Sequence, residues 1–215
     1  MRIGVLGNGM VGDAIATKLV ALGHELCMGA RSAAYEKATA WAARVGERAS
    51  HGTFADAAAF GELVVNGTSG VASLDALEHA GAGHLDGKIL IDVANPLDFS
   101  RGMPPSLTIC NTDSLGEQIQ RAYPAAKVVK TLNTTNAGVM VNPSSVPGEH
   151  DLFLCGNDAD AKARVTELLH SFGWRTVHDL GDITGARGME MILPLWLRLM
   201  GAFGTPAFNF HLARR

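Results

Sequence analysis

A glycine-rich turn near the start of the chain constrains the fold more than any other feature. The pattern G-x-G-x-x-G fills residues 7–12, between an apolar run at 2–6 and a segment at 10–22 whose apolar residues recur at helical spacing. In a turn that joins a strand to a helix, this pattern binds the pyrophosphate of a dinucleotide. A glycine turn that binds nothing is the alternative. The predicted binding residues of the turn are Gly7, Asn8, Gly9, Met10, Val11 and Gly12.

Each glycine of this turn has a separate role in the prediction. Gly7 permits the tight turn, Gly9 lets the backbone approach a pyrophosphate, and Gly12 allows the helix to pack closely on the strand. The N-terminus of the following helix adds free N–H groups and a partial positive charge, which favour phosphate binding.

The residues after the second apolar run indicate which dinucleotide binds. An NAD site usually has Asp or Glu about 20 residues past the last glycine, where the acid bonds the ribose 2′-hydroxyl. Residues 28–32 read Met-Gly-Ala-Arg-Ser and contain no acid. The guanidinium of Arg31 can make a forked, charge-assisted contact with a 2′-phosphate, and Ser32 can add a hydroxyl. NADP is therefore predicted over NAD, unless Arg31 is simply a solvated surface cation.

Short apolar runs alternate with helical patterns through the first 130 residues. Such alternation is typical of a parallel sheet with right-handed crossovers, and it predicts an α/β fold of the Rossmann type, a doubly wound parallel sheet. The predicted strands are 2–6, 25–28, 62–66, 88–93 and 127–132, and the predicted helices are 10–22, 33–45, 73–80 and 113–123.

A loop at residues 142–150, which contains two prolines and a glycine, predicts a boundary within the chain. Residues 1–145 are predicted to form the NADP-binding domain. Residues 146–215 are predicted to form a small C-terminal α/β lobe that ends in an apolar helix. The elements predicted in this lobe are a strand at 151–154, a helix at 158–172, a strand at 174–178 and a helix at 189–199.

Two polar loops follow predicted strands and are candidates for the edge of the binding site. Thr68 and Ser69 come after the strand at 62–66, and Asn95 and Pro96 come after the strand at 88–93. Ligands of such sheets bind outside the carboxyl ends of the strands. The first loop is therefore expected to border the cofactor, unless it is a plain turn, and the second is expected to border its nicotinamide end.

Composition excludes several other classes of protein. A net charge of −3 and a pI near 6.2 lack the basic footprint of a nucleic-acid binder. The three cysteines are far apart, and no motif predicts a bound metal. We expect no signal peptide and no membrane span, since the longest uncharged run near the end, 199–210, is shorter than a bilayer requires. The expected location is the cytoplasm.

The segment at 189–210 is the most apolar late stretch of the chain. So much apolar area should not stay exposed, so the segment is predicted to lie in the core or in the interface of a homodimer. A second interpretation, compatible with the first, is that Trp196 or Met191 forms the floor of an acceptor pocket.

Several stretches resemble the coenzyme F420-dependent NADP oxidoreductases and the related NADP-binding domain of STEAP-type ferric reductases. The resemblance begins with GVLGNGMVGDAIATKLVALGHELCMGARS at 4–32 and continues with IDVANPL at 91–97, KTLNTTN at 130–136 and DLFLCGND at 151–158. It implies phosphate binding at 7–12 and 2′-phosphate binding at Arg31 and Ser32. It also implies that Asn95, Pro96 and Asn133 lie near the nicotinamide.

The same resemblance implies hydride transfer between NADP and a deazaflavin, coenzyme F420, or a flavin. No side chain is predicted to act as a catalytic acid or base, because hydride transfer between stacked rings depends on orientation and water exclusion. His150 and His178, at the edges of elements, are the histidines that could face the cleft. Two alternatives stay open: a reductase of a small organic substrate such as an imine, and an NADP-binding sensor or scaffold without turnover.

Overall fold

The computed structural model describes residues 1–214 and is organised around one eight-stranded sheet. In chain order the strands are β1 (Arg2–Leu6), β2 (Glu25–Ala30), β3 (Ala49–Thr53), β4 (Leu63–Asn66), β5 (Ile89–Asp92), β6 (Leu97–Asp98), β7 (Ser106–Leu107), β8 (Lys127–Thr131), β9 (Asp151–Gly156) and β10 (Thr176–Asp179). The helices are α1 (Met10–Ala21), α2 (Glu36–Val45), α3 (Phe54–Phe60), α4 (Ser73–Ala80), α5 (Leu115–Ala122), α6 (Ala137–Val141), α7 (Ala159–Phe172), α8 (Ala186–Met191) and α9 (Leu193–Phe203). Strands β6 and β7 form a separate two-stranded hairpin.

The strand order of the large sheet is β10-β9-β8-β5-β4-β1-β2-β3. The six strands from β3 to β8 are parallel, and the order reverses between β1 and β4, which is the switch point where Rossmann folds bind dinucleotides. Strand β9 then pairs antiparallel with β8, and β10 pairs parallel with β9. The predicted Rossmann-type fold is confirmed, and its extra strands extend the same sheet.

Apolar side chains fill both faces of the sheet, as expected for buried parallel strands. One core cluster packs α1, α2, α6 and α7 on one face, through residues such as Leu19 and Val165. The other packs α3, α4, α5 and α8 on the opposite face, through residues such as Leu77 and Ile119. The sheet is therefore covered by helices on both sides.

Two elements between α2 and β4 lie outside the sequence-based expectations. Strand β3 reads ASHGT and lies at the edge of the sheet. It contains no run of apolar residues, so the sequence pattern did not predict a strand there. Helix α3 begins with a capping box, in which Thr53 Oγ1 accepts from the Asp56 N–H at 3.1 Å and Asp56 Oδ2 accepts from the Thr53 N–H at 2.8 Å. The T-x-x-D spacing was the sequence signal for this helix.

The single apolar helix predicted at 189–199 is two helices. Helix α8 ends at Met191 and α9 begins at Leu193, with Pro194 in its first turn, where the missing N–H of proline does no harm. After α9 the chain returns to the start of β9, where Asp151 N–H donates to Phe210 O at 2.8 Å. The division at residue 145 stays a prediction, and β9, beyond that residue, belongs to the same sheet as β8.

Within residues 1–214 no helix has both the length and the apolar character needed to cross a bilayer.

Candidate functional site

The glycine turn adopts the backbone geometry for which its glycines were predicted. Gly7 has φ +101°, which side-chain-bearing residues rarely adopt, and its N–H donates to Gly29 O at 3.0 Å. A Cβ on Gly12 would lie 2.0 Å from Gly7 O, so α1 packs directly on the turn. A Cβ on Gly9 would meet no atom within 4 Å. Gly9 therefore faces open space, while Gly12 faces protein.

The N-terminus of α1 is open toward the same space. Gly9 is the N-cap and supplies no side chain, so the N–H groups of the first turn of α1 are available to a ligand. Met10 is 76% exposed and Asn8 is half-buried. An anion placed beside Gly9 would meet free N–H groups and the positive end of the helix dipole.

Arg31 and Ser32 follow the carboxyl end of β2 and are both exposed. Arg31 makes no ion pair within residues 1–214, whereas Arg44 and Arg121 are each paired with an aspartate. Arg31, Gly7, Gly9 and Thr68 line a cleft of about 270 Å³, which we call the nucleotide cleft. Asp75 on α4 and Phe54 on α3 also line this cleft, and neither was expected from the sequence.

The loop after β4 connects two clefts. Thr68 and Ser69 line the nucleotide cleft and also a second cleft of about 280 Å³, which we call the ring cleft. Thr68 Oγ1 donates to Asn66 Oδ1 at 2.7 Å, so this loop is tied to the buried end of β4. A ligand that spans both clefts must pass Thr68 and Ser69.

The ring cleft lies at the carboxyl ends of β4, β5 and β8, and α1, α6 and α9 close it. None of its lining residues carries an ionisable side chain. The lining includes Asn95, Phe99, Asn133, Thr135, Met140 and Trp196. Asn95 and Asn133 are thus together as expected, but Pro96 is buried outside the lining and its carbonyl accepts from Thr108 N–H at 2.8 Å.

Asn95 and Asn133 fix each other's orientation. Asn95 Nδ2 donates to Asn133 O at 2.8 Å, and Asn133 Nδ2 donates to Asn95 Oδ1 and to Met189 O, both at 2.9 Å. Three buried polar atoms of the ring cleft have no hydrogen-bond partner: Asn133 Oδ1, Thr135 Oγ1 and Trp196 Nε1. Thr135 was not expected from the sequence, although it lies in the KTLNTTN stretch. Met191, the alternative to Trp196, is 40% exposed and does not line the cleft.

A buried ionic cluster lies directly behind the ring cleft. Lys130 is fully buried, and its Nζ lies 2.7 Å from Asp92 Oδ2 and 2.9 Å from Glu190 Oε1, and also donates to Ala94 O. Burial alone would lower the pKa of Lys130, but the carboxylates of Asp92 and Glu190 outweigh it and raise that pKa. Glu190 also accepts from Leu115 N–H at 2.9 Å, at the N-terminus of α5. The ammonium therefore holds the turn after β5 against β8 and α8.

The same cluster connects to the cofactor loop. Asp92 Oδ1 accepts from Asn66 Nδ2 at 2.9 Å, and Asn66 Oδ1 accepts from the hydroxyl of Thr68. Polar contacts thus run from Glu190 on α8 to the loop shared by the two clefts. Lysine within an apolar strand pattern was the sequence signal for this cluster, because a buried lysine requires partners.

Neither histidine considered from the sequence lines the ring cleft. His150 Nε2 lies 3.0 Å from Pro143 O, and His178 Nε2 lies 3.2 Å from Asp151 Oδ1. His150 immediately precedes β9 and His178 lies on β10, so both are outside the segments that line the ring cleft.

Comparison with known proteins identifies the family to which the chain is similar. Residues 2–96 match the model of the family described as NADP oxidoreductase, coenzyme F420-dependent. The crystal structure of a protein from Arthrobacter sp. FB24, provisionally named an F420-dependent NADP-reductase, is 55% identical with a TM-score of 0.95, and each chain is covered completely.

Two curated relatives are more distant. The F420-dependent NADP reductase of Methanothermobacter marburgensis is 29% identical over 93% of this chain and 92% of its own length. Metalloreductase STEAP3 of Rattus norvegicus is 30% identical over 97% of this chain, and the chain spans only 41% of that protein's length. The full-length likeness to the Arthrobacter protein, together with the family match, shows that the chain belongs to the coenzyme F420-dependent NADP oxidoreductases.

Proposed function

We propose that the protein transfers a hydride between NADP and a planar tricyclic acceptor, coenzyme F420 or a flavin. One observation carries the proposal: the nucleotide cleft, which Arg31 lines, shares Thr68 and Ser69 with a second cleft that is lined only by uncharged residues. A dinucleotide fits the first cleft and can extend its ring into the second.

The residues of the nucleotide cleft fit NADP. The N-terminus of α1 and the open side of Gly9 would hold the pyrophosphate, and Arg31 with Ser32 would hold the 2′-phosphate. Asn95 and Asn133 would lie beside the nicotinamide. When bound, NADPH supplies the hydride, so no side chain needs to act as a redox group.

The ring cleft fits a reaction that depends on placement. Its lining contains no carboxylate, histidine, lysine or arginine, so no side chain in contact with a bound ring can exchange a proton near neutral pH. Asn133, Thr135 and Trp196 are each at least nine-tenths buried and exclude water from the wall. Positioning and water exclusion alone can supply many powers of ten in rate when reacting atoms are held close together.

This lining also bears on the alternatives. Reduction of an imine or a carbonyl requires a proton at the reacting nitrogen or oxygen itself, and no residue of the ring cleft is suited to supply it. In a flavin or deazaflavin the charge left by the hydride spreads over the pyrimidinedione, whose nitrogen can take its proton from solvent. A sensor or scaffold without turnover would bind NADP equally well, so only an assay separates it from an enzyme.

The test is a spectroscopic assay of NADPH oxidation against coenzyme F420, FMN and riboflavin, with cyclohexanone plus an amine as the imine-forming comparison. We expect turnover with at least one tricyclic compound. Asn133→Leu should reduce that turnover, because it disturbs the ring wall, whereas His150→Ala and His178→Ala should keep most of the rate. Turnover of the imine alone, or of none of the acceptors, would contradict the proposal.

Two further expectations stay predictions. A homodimer would cover exposed apolar residues near the end of the chain, such as Leu195 and Phe203, which are 53% and 58% exposed. Light scattering at micromolar concentration should then give about twice the 22.6 kDa of the chain. A cytoplasmic location is the second expectation, and fractionation of cells that express the protein would check it.

A further inference from the structure

The unpartnered polar atoms of the protein are concentrated in the ring cleft. Within residues 1–214, three buried side-chain polar atoms without a hydrogen-bond partner belong to the lining residues Asn133, Thr135 and Trp196. An unpaired buried donor or acceptor costs stability, so natural proteins keep few of them. Three on one wall indicate that something other than the protein completes their hydrogen bonds.

The loop that carries two of these residues is held under strain. Leu132, directly after β8, has φ +62°, in the left-handed region that residues with a side chain rarely adopt. Thr131 Oγ1 donates to Phe153 O at 2.8 Å on one side, and Asn133 Nδ2 donates to Met189 O on the other, so the loop is fixed at both ends. Strain of this kind persists where the surrounding structure enforces it, and it clusters at ligand sites.

The three atoms have defined hydrogen-bonding roles. Both contacts of Asn133 Nδ2 are with carbonyl oxygens, which identifies the free atom, Oδ1, as an acceptor. Trp196 Nε1 can only donate, and the hydroxyl of Thr135 can do either. The residues that line the cleft therefore include one free acceptor and one free donor.

The ligand group that meets this wall must be neutral, because no ionisable residue lines the cleft. A carboxylate or phosphate would be desolvated there without a counter-charge. We propose that Asn133, Thr135 and Trp196 recognise an amide edge on a planar ring, a carbonyl next to an N–H, with Trp196 donating to the carbonyl and Asn133 accepting from the N–H. This inference rests on the proposed function.

Two sources supply such an edge. One is the carboxamide of the nicotinamide, and the other is the pyrimidinedione of a flavin or deazaflavin. Since the three atoms are shielded from water, entry of either ring requires the walls to part slightly. Phe208 stacks on Trp196 with ring centroids 5.1 Å apart, so a movement of Trp196 would also displace the segment after α9.

Two substitutions test the inference: Thr135→Val, which keeps the shape of the side chain, and Trp196→Phe, which removes the N–H and also shortens the ring. The probes are NADP, its 3-acetylpyridine analogue, in which a methyl group replaces the amide nitrogen, and FMN added to NADP-saturated protein. Thr166→Val and Trp41→Phe are matched controls, because their polar atoms are partnered by Lys162 O and Thr17 Oγ1, away from the ring cleft. Affinities are measured by calorimetry, and thermal unfolding is measured on the ligand-free protein.

We expect each cleft variant to bind the recognised ligand about fivefold to tenfold more weakly, as for one lost hydrogen bond. If the nicotinamide is the source, the acetylpyridine analogue binds the wild type more weakly than NADP does, because it lacks the N–H that Asn133 accepts. Trp196→Phe then weakens NADP and the analogue alike, because both keep the carbonyl. If the acceptor is the source, FMN weakens and NADP does not. In both cases Thr135→Val should leave the melting temperature of the ligand-free protein unchanged or raise it, because it removes an unpaired hydroxyl.

Unchanged affinities in both cleft variants, with the fold intact, would overturn the inference. The inference would also be overturned if the two control variants lost as much affinity for every probe as the two cleft variants do. Absence of activity with all tricyclic compounds would count against the proposed function. The NADP titrations would still test this inference, because NADP binding requires no turnover.

Discussion

The two clefts differ in how the chain builds them. The nucleotide cleft is exposed, and its main features are backbone N–H groups at Gly9–Met10 and one cation, Arg31, all within the first 31 residues. The ring cleft is uncharged, and its residues come from segments as distant as Val11 and Trp196. Local backbone geometry creates the first cleft, while tertiary packing creates the second. The nucleotide end should therefore tolerate losses of packing better than the ring end.

The largest expected effect is at the cluster behind the ring cleft. Lys130→Met leaves Asp92 and Glu190 buried without their cation, which should lower the free energy of unfolding by about 3–5 kcal/mol. The same kind of interaction at the nucleotide end, between Arg44 and Asp13, is about half exposed, so Arg44→Ala should cost less than about 1 kcal/mol. Urea denaturation of both variants measures the difference. Equal losses would remove the distinction between the two ends.

The second expected effect concerns Arg31 and affinity alone. Arg31→Ala removes the cation predicted to bind the 2′-phosphate, and should weaken NADP by about 1.5–3 kcal/mol while NAD changes little. Calorimetric titration of wild type and variant with both dinucleotides checks this. Equal weakening of both would show that Arg31 does not read the 2′-phosphate.

Two glycines separate folding from binding within the nucleotide cleft. Gly12→Ala places a Cβ 2.0 Å from Gly7 O, so the turn must shift, at a cost of about 1–3 kcal/mol in stability. Gly9→Ala meets open space and should leave the melting temperature unchanged, but it should weaken NADP because the methyl group occupies the space beside the phosphates. Thermal unfolding and NADP titration of both variants test this pair. Loss of stability in Gly9→Ala would show that the space is needed for folding.

The smallest expected effect is a pH dependence of stability, which arises at the contact between α5 and α8. Arg187 Nε donates to Glu117 Oε2 at 2.8 Å, and this contact lowers the pKa of Glu117 below its ordinary value. The folded state therefore binds this proton less readily than the unfolded chain, whose pKa for Glu is about 4.3. Its stabilising effect is present above that pH and is lost as the pH falls through the lowered pKa. Glu117→Gln should flatten the loss of stability in acid, and Glu167→Gln, on the exposed side of α7, should not.

The contrast between the clefts also explains how far the sequence could be interpreted. The glycine turn, Arg31 and the alternating strands are local patterns, and the structure has the predicted strand–turn–helix and sheet order there. The Lys130 cluster depends on partners 38 and 60 positions away, which no spacing rule connects. Pro96 was predicted to border the nicotinamide because it follows β5, but it is buried and does not line the ring cleft. Pro194 was the sequence signal that α8 and α9 are separate helices.

The segment after α9 gives the protein a place where acceptor preference could change without loss of the nucleotide site. Phe208 stacks on Trp196 and meets Phe203 edge-on, and Asn209 Nδ2 donates to Asp151 O at 2.9 Å, so residues 204–212 support the ring wall from behind. None of them lines either cleft. Substitutions there would reshape the pocket indirectly, which makes this segment a natural target for laboratory evolution of acceptor choice. It also makes an affinity tag fused beside it an unsuitable choice for kinetic work.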